Sequence, residues 1–190
     1  MTAKVNKFLN DSGVARWSAL VLIALMMFFA YMFVDVLSPL SSLLETSKGW
    51  SAETYGTFCS SEYFLNVFAF FLIFAGIILD KMGIRFTGIL SAAVMVIGAS
   101  IKLYAISDLF SPESALYRFL DSFWTSFPPT AKLASVGFMI FGCGVEMGGV
   151  TVSKAIAKWF KGKEMALAMG LEMAIARLGV FAVFRLSPAL

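Results

Sequence analysis

The sequence predicts an all-α polytopic membrane protein, and three observations carry that prediction. Of its 190 residues, 59% are hydrophobic and 14% charged, whereas soluble domains carry about 25% charged residues. The mean hydropathy is +0.85. The apolar residues fall in five runs, each close to the roughly 20 residues of helix that cross a bilayer core. Backbone groups in lipid must be paired internally, and the runs lack the alternation of barrel strands, so the spans are helices.

The first span covers 17–37. Its apolar run is too long for the core of a cleavable signal, and no small-x-small site follows promptly, so it is read as retained. The second covers 58–79 and the third 86–106, with Lys81 and Arg85 in the short loop between them. The fourth covers 131–152 and the fifth 165–186, joined by a loop bearing Lys154, Lys158, Lys161 and Lys163. The connection "SDLFSPESALYRFLDSFWTSFPPT" is longer. Ser111 suits an N-cap, Pro112 the first helical position, and Pro128-Pro129 a stop. Leu116, Phe119, Leu120, Phe123, Trp124 and Phe127 recur at helical spacing. They predict an amphipathic helix over about 112–127, lying flat at the membrane surface.

Charge placement orients the spans. Lys4, Lys7 and Arg16 precede the first span and fall on the same side as the other two basic loops if the spans alternate. The opposite loops hold Glu45, Glu53, Asp108, Glu113 and Asp121. The positive-inside rule puts the amino terminus in the cytoplasm. The formal charge of +3 is small, and no nucleic-acid partner is expected. Cys59 and Cys143 lie in or beside apolar runs, which argues against a disulfide framework. Without histidine, a zinc site or a histidine proton relay is excluded. No nucleophile–base pair, metal cluster or phosphate loop is visible, so neither an enzyme nor a cofactor is expected.

Four spans carry polar faces. Tyr31, Asp35 and Ser38 share one face of the first span, and Cys59, Glu62, Tyr63 and Asn66 one face of the second. Gly142, Glu146, Gly149 and Ser153 make a small, polar face on the fourth, and the fifth carries Glu172, Arg177 and Arg185. Glu172 and Arg177 are five apart and so on different faces. The third span shows no such stripe, and its Lys102, near the outer end, is expected to snorkel. Gly144 and Gly148 form a GxxxG, better explained by close packing within the bundle than by dimerisation.

The stretch "GIILDKMGIRFTG" resembles the signature of the major facilitator superfamily, with Gly76, Asp80, Lys81, Gly83 and Arg85 in place and Ile84 departing from it. "YMFVDVLSPL", "YGTFCSSEYFLNVF" and "GCGVEMGGVTVSKAIAKWFKGKEMALAMGLEMAIARLG" resemble the branch that holds lysosomal dipeptide transporters and their bacterial relatives. That resemblance implies five helices of a facilitator-type six-helix half, with helix 6 and the second half absent. It also implies rocker-switch alternating access to a small solute at the bilayer midplane. Helix 3 of each half lies outside the cavity in that fold. Asp80 would belong to a cytoplasmic latch whose partner lies in the missing half.

A carboxylate at the centre of an apolar span costs on the order of 2.5–3.5 kcal/mol to insert, so Glu146 faces a cavity or a partner charge. Either Glu146 holds Arg177 as a structural pair, or Glu146 takes a substrate ammonium and Arg177 its carboxylate. A dipeptide or amino-acid-like zwitterion would need both. Tyr31, Asp35, Tyr63 and Asn66 complete the expected substrate site, and Asp35 and Glu62 are candidates for proton coupling. Such a chain is expected to be a fragment of a twelve-helix transporter, or to need a partner chain. The competing expectation is a non-transporting membrane protein or a regulatory subunit.

Overall fold

The computed structural model describes residues 11–186. Lys4 and Lys7, two of the basic residues that orient the first span, lie outside them. Helix α1 (Gly13–Val34) starts at Ser12, whose side chain accepts from the Ala15 N–H, and runs without an interior glycine or proline. A 3-10 turn (Ser38–Leu40) built on Pro39 leads into α2 (Ser41–Lys48), which stops at the left-handed Gly49. Helix α3 (Ala52–Phe68) is capped by Ser51, which accepts from the Thr54 N–H at 3.1 Å. It breaks at Ala69–Phe70, where Phe70 takes φ 51°.

Helix α4 (Phe71–Ile106) folds back at Gly83, whose φ of 83° and ψ of 169° only glycine adopts readily. Its arms are 71–82 and 84–106. The short helix α5 (Ala115–Asp121) precedes α6 (Pro129–Phe160), which opens on a proline, and α7 (Met165–Leu186). Four helical stretches among the described residues are long and apolar enough to cross a membrane: Gly13–Lys48, Phe71–Ile106, Pro129–Phe160 and Met165–Leu186. The expected second span is divided, 58–68 lying in α3 and 71–79 in the first arm of α4. Exposed Leu22, Ile73, Ile89, Val96, Leu103 and Phe181 turn outward from the bundle, as lipid-facing residues do.

Helix α6 is the axis of the bundle. Along one side the second arm of α4 lies against it, backbone to backbone. A Cβ on Gly98 would stand 2.5 Å from the Phe141 nitrogen, and one on Gly137 2.8 Å from the Lys102 nitrogen. Gly144 and Gly148 continue the seam against Ser91 and Met95, so the GxxxG does pack inside the bundle. The Ser91 hydroxyl donates to the Gly144 carbonyl at 2.7 Å. Helix α3 covers another side of α6, where Gly142 abuts the backbone of Glu62. Helices α1 and α7 form a second close pair, with Gly179 on the Phe28 carbonyl.

The two ends are tied differently. At the basic end Arg16 meets Glu164 at 3.3 Å, Lys163 meets Asp11 at 3.2 Å, and Trp17 packs edge-on against Phe160. The "WFKGKE" loop is thereby clamped to the start of α1. At the other end Trp50 is buried, donates to the Thr130 hydroxyl at 2.9 Å and packs on Phe58, which stacks on Phe138.

Three expectations change. The helix foreseen over 112–127 is only α5, Ala115–Asp121. Trp124 takes φ 47°, and Lys132 donates to the Leu120 and Phe123 carbonyls, ending the helix early. Phe127, expected on an interfacial stripe, is buried. The third span does have a small, polar stripe. Thr87, Ser91, Gly98 and Lys102 are all buried, on the face that meets α6 rather than a cavity. Lys102 does not snorkel. At 3% exposed it is sealed inside the bundle, because the Phe33 carbonyl and two phenylalanine rings receive its ammonium there.

Candidate functional site

The polar faces of three helices converge on one cleft at the end opposite the basic loops. It has a volume of about 210 Å³. Helix α1 and the turn after it supply Tyr31, Asp35 and Ser38 to its wall, α3 supplies Cys59, Glu62 and Tyr63, and α7 supplies Arg177. Each group has the helical spacing seen in the sequence, which brings its members to one side. Tyr55 and Phe138 also line it and were not foreseen, and Val34 and Phe58 fill the rest of the wall. Tyr55 lies four residues before Cys59 on the same α3 face, and that periodicity would have found it.

A short hydrogen-bond chain orders the rim. The Tyr55 hydroxyl donates to Ser38 Oγ at 3.2 Å, and the Ser38 hydroxyl donates to Asp35 Oδ1 at 3.3 Å. This holds the Asp35 carboxylate at the C-terminal end of α1. Arg177 places its guanidinium carbon 4.9 Å from the centre of the Tyr31 ring, a cation–π contact that leaves its fork of donors available. Glu62 is 6% exposed and lies within electrostatic reach of Asp35, Glu146 and Lys102.

Of the expected site residues, Tyr31, Asp35, Tyr63 and Arg177 therefore meet in the cleft. Asn66 lies one turn further along α3, buried, with its amide donating to the Glu62 carbonyl at 3.3 Å and its Oδ1 unpartnered. Glu146 is half-buried on α6, outside the cleft wall but close enough to act on Glu62 and Tyr63. Glu146 and Arg177 form no ion pair with each other among the described residues. Glu172 is buried on α7 and, as expected, does not pair with Arg177.

Two further features lie outside the cleft. A larger crevice, about 640 Å³, opens between α1 and the second arm of α4 and is walled almost entirely by apolar side chains such as Met26, Phe29, Phe33 and Met95. Lys102 stands between this crevice and the cleft. At the basic end, Gly83 makes the tight turn expected of the "GIILDKMGIRFTG" loop, and Asp80 meets Lys154 of α6 at 2.5 Å. Asp80 was expected to have its partner in an absent half. Within this chain it has one, because the turn at Gly83 brings the loop over the end of α6.

Fold and cleft together define a polytopic helical membrane protein whose helices bring opposite charges together inside the bundle. The chain is similar to vertebrate proteins named lysosomal dipeptide transporter MFSD1. It is 30% identical to that of Bos taurus over 107 residues, 56% of this chain and 19% of the relative. The Mus musculus protein is 30% identical over 115 residues, 60% of this chain and 20% of the relative. The Danio rerio protein is 45% identical over 47 residues, 25% of this chain and 10% of the relative. The chain spans about a fifth of the length of the cattle and mouse relatives. No family model matches the chain, and no solved structure does.

Proposed function

We propose that these helices are part of an alternating-access transporter of the major facilitator superfamily whose cargo is a dipeptide or an amino-acid-like zwitterion. The observation that carries this reading is the cleft itself. A guanidinium and two carboxylates, from three helices, face one space among tyrosines. Arg177 would take the cargo's carboxylate through its planar fork. Glu146, beside the cleft, would take the ammonium, with Tyr31, Tyr63 and Asn66 shaping the space between. Asp35 and Glu62 are the carboxyls through which a proton would couple. The similarity to dipeptide transporters supports the cargo class.

In this reading the chain is an N-terminal transporter domain, and a second half or a partner chain supplies the opposite wall. The basic loops face the cytoplasm, and in a eukaryotic cell the membrane is the lysosomal one. The test is uptake of a radiolabelled dipeptide by the full natural product in proteoliposomes. Arg177→Ala and Glu146→Gln each remove a charge-assisted hydrogen bond to cargo and are expected to weaken uptake by at least about tenfold. Uptake that persists in both variants would remove the pair from the site. Absence of uptake for every peptide and amino acid tried would overturn the transport reading in favour of a non-transporting membrane protein.

A further inference from the structure

The basic end of the molecule carries more positive charge than its own carboxylates neutralise. Among the described residues its carboxylates are Asp11, Asp80 and Glu164, and each already holds a cation: Lys163, Lys154 and Arg16 in turn. Lys81, Arg85, Lys158 and Lys161 are exposed and have no carboxylate partner among the described residues. That leaves an excess of four positive charges at this end.

These four cations are gathered rather than scattered. Lys154, Lys158 and Lys161 follow the i, i+4, i+7 spacing of one face at the end of α6. The turn at Gly83 lies over that end, because Asp80 meets Lys154 there. The second arm of α4 runs antiparallel to α6, and a Cβ on Gly88 would meet the Thr151 methyl at 3.8 Å. One turn further along both helices, Arg85 comes level with Lys154. Exposed Met82 and Phe86 sit directly beside Lys81 and Arg85 in the sequence. Apolar side chains interleaved with cations belong at the boundary of the hydrocarbon, where lipid headgroups lie.

We propose that this end is a binding site for the headgroup of an inositol phospholipid bearing phosphomonoesters. The proposal rests on the basic loops facing the cytoplasm, whose leaflet carries the anionic lipids. Each phosphomonoester carries about −1.5 to −2 charge at neutral pH, so a bisphosphate headgroup matches the excess of four, which the single net charge of phosphatidylserine does not. Arg85 offers a planar fork to one phosphate, and Lys158 and Lys161 offer compact ammonium groups to another. Met82 and Phe86 meet the first carbons of the acyl chains.

The experiment is a titration of fluorescent short-chain phosphatidylinositol bisphosphate into the full natural product, purified in uncharged detergent and read by anisotropy. Unlabelled short-chain phosphatidylserine and soluble inositol trisphosphate serve as competitors, and both are expected to compete more weakly than the unlabelled phosphoinositide. Each surface cation near a headgroup contributes about fivefold in affinity. Lys158→Gln with Lys161→Gln is therefore expected to weaken binding about thirtyfold, and Lys81→Gln with Arg85→Gln about as much. Lys48→Gln, at the opposite end, is expected to leave it unchanged. Wild-type affinity in either double variant would overturn the proposal. Phosphatidylserine competing as well as the phosphoinositide would overturn the headgroup assignment, and inositol trisphosphate competing as well would overturn the lipid as its source. No cargo enters the assay, so each of these failures leaves the transport reading standing.

Discussion

The α4–α6 seam makes a quantitative demand on Gly98. A Cβ added there would lie 2.5 Å from the Phe141 nitrogen, 2.6 Å from the Gly137 oxygen and 2.7 Å from the Phe141 Cα. Carbon contacts relax at about 3.5 Å, so the helices must part by about 1 Å. All three atoms are backbone, and no rotamer change can absorb the insertion. Over-packing of this kind costs about 1–3 kcal/mol. Alanine returns about 0.5–1 kcal/mol in helix preference. The net loss for Gly98→Ala is roughly 1–2 kcal/mol, a fall in Tm of about 2–8 °C for a chain of this size. Gly149, on the same helix α6 as the seam glycines, has nothing within 4 Å of its would-be Cβ and is the control. Gly149→Ala is expected to melt at or slightly above the wild-type temperature. Buried Cys143 on α6 supplies the readout, through a thiol-reactive dye in detergent with Cys59→Ala as background. Coincident melting of the Gly98→Ala and Gly149→Ala proteins would refute the seam as the origin of bundle stability.

Two other expectations follow from the basic end. Gly83→Ala forces a side chain onto a backbone conformation that is essentially glycine's alone, costing on the order of 1–3 kcal/mol; a lower Tm in the same dye assay checks it. Asp80→Asn breaks an exposed ion pair with Lys154 worth about 0–1 kcal/mol, so Tm should barely move. A much larger loss of uptake than of Tm in Asp80→Asn would mark that pair as a functional latch, whereas parallel small changes would make it an ordinary surface contact.

The polar faces were legible in the sequence because they are set by helix periodicity, which one strand of text contains in full. Tyr31, Asp35 and Ser38 could be grouped before any neighbour was known, and so could Cys59, Glu62 and Tyr63. The break between α3 and α4 was not legible. Phe70 adopts a left-handed conformation with no glycine, proline or asparagine to announce it. The fate of Lys102 was not legible from its own run either, since a lysine one turn from a span end can reach water or turn inward. What decides between them is Phe33, Phe138 and Phe141, contributed by two other helices. A clue was available: Ser91, Gly98 and Lys102 fall on one face, and a lysine in register with small residues belongs to a packed seam rather than to lipid.

The unequal character of the helix contacts has a mechanical consequence. Where glycine lets two backbones touch, as between α4 and α6 or between α1 and α7, the joint is stiff, because backbone has no alternative rotamer to offer. Between those two blocks the neighbours are side chains, with Met26 and Met27 of α1 lying against Gly148 of α6. Thioether chains of that kind slide and re-pack at little cost. The molecule is thus a pair of stiff bodies with a compliant layer between them, pinned at one end by Arg16 and Trp17 against Phe160 and at the other by Lys102 and the Phe33 carbonyl. Force applied to either block would be relieved along that layer first, as shear, before any helix bends.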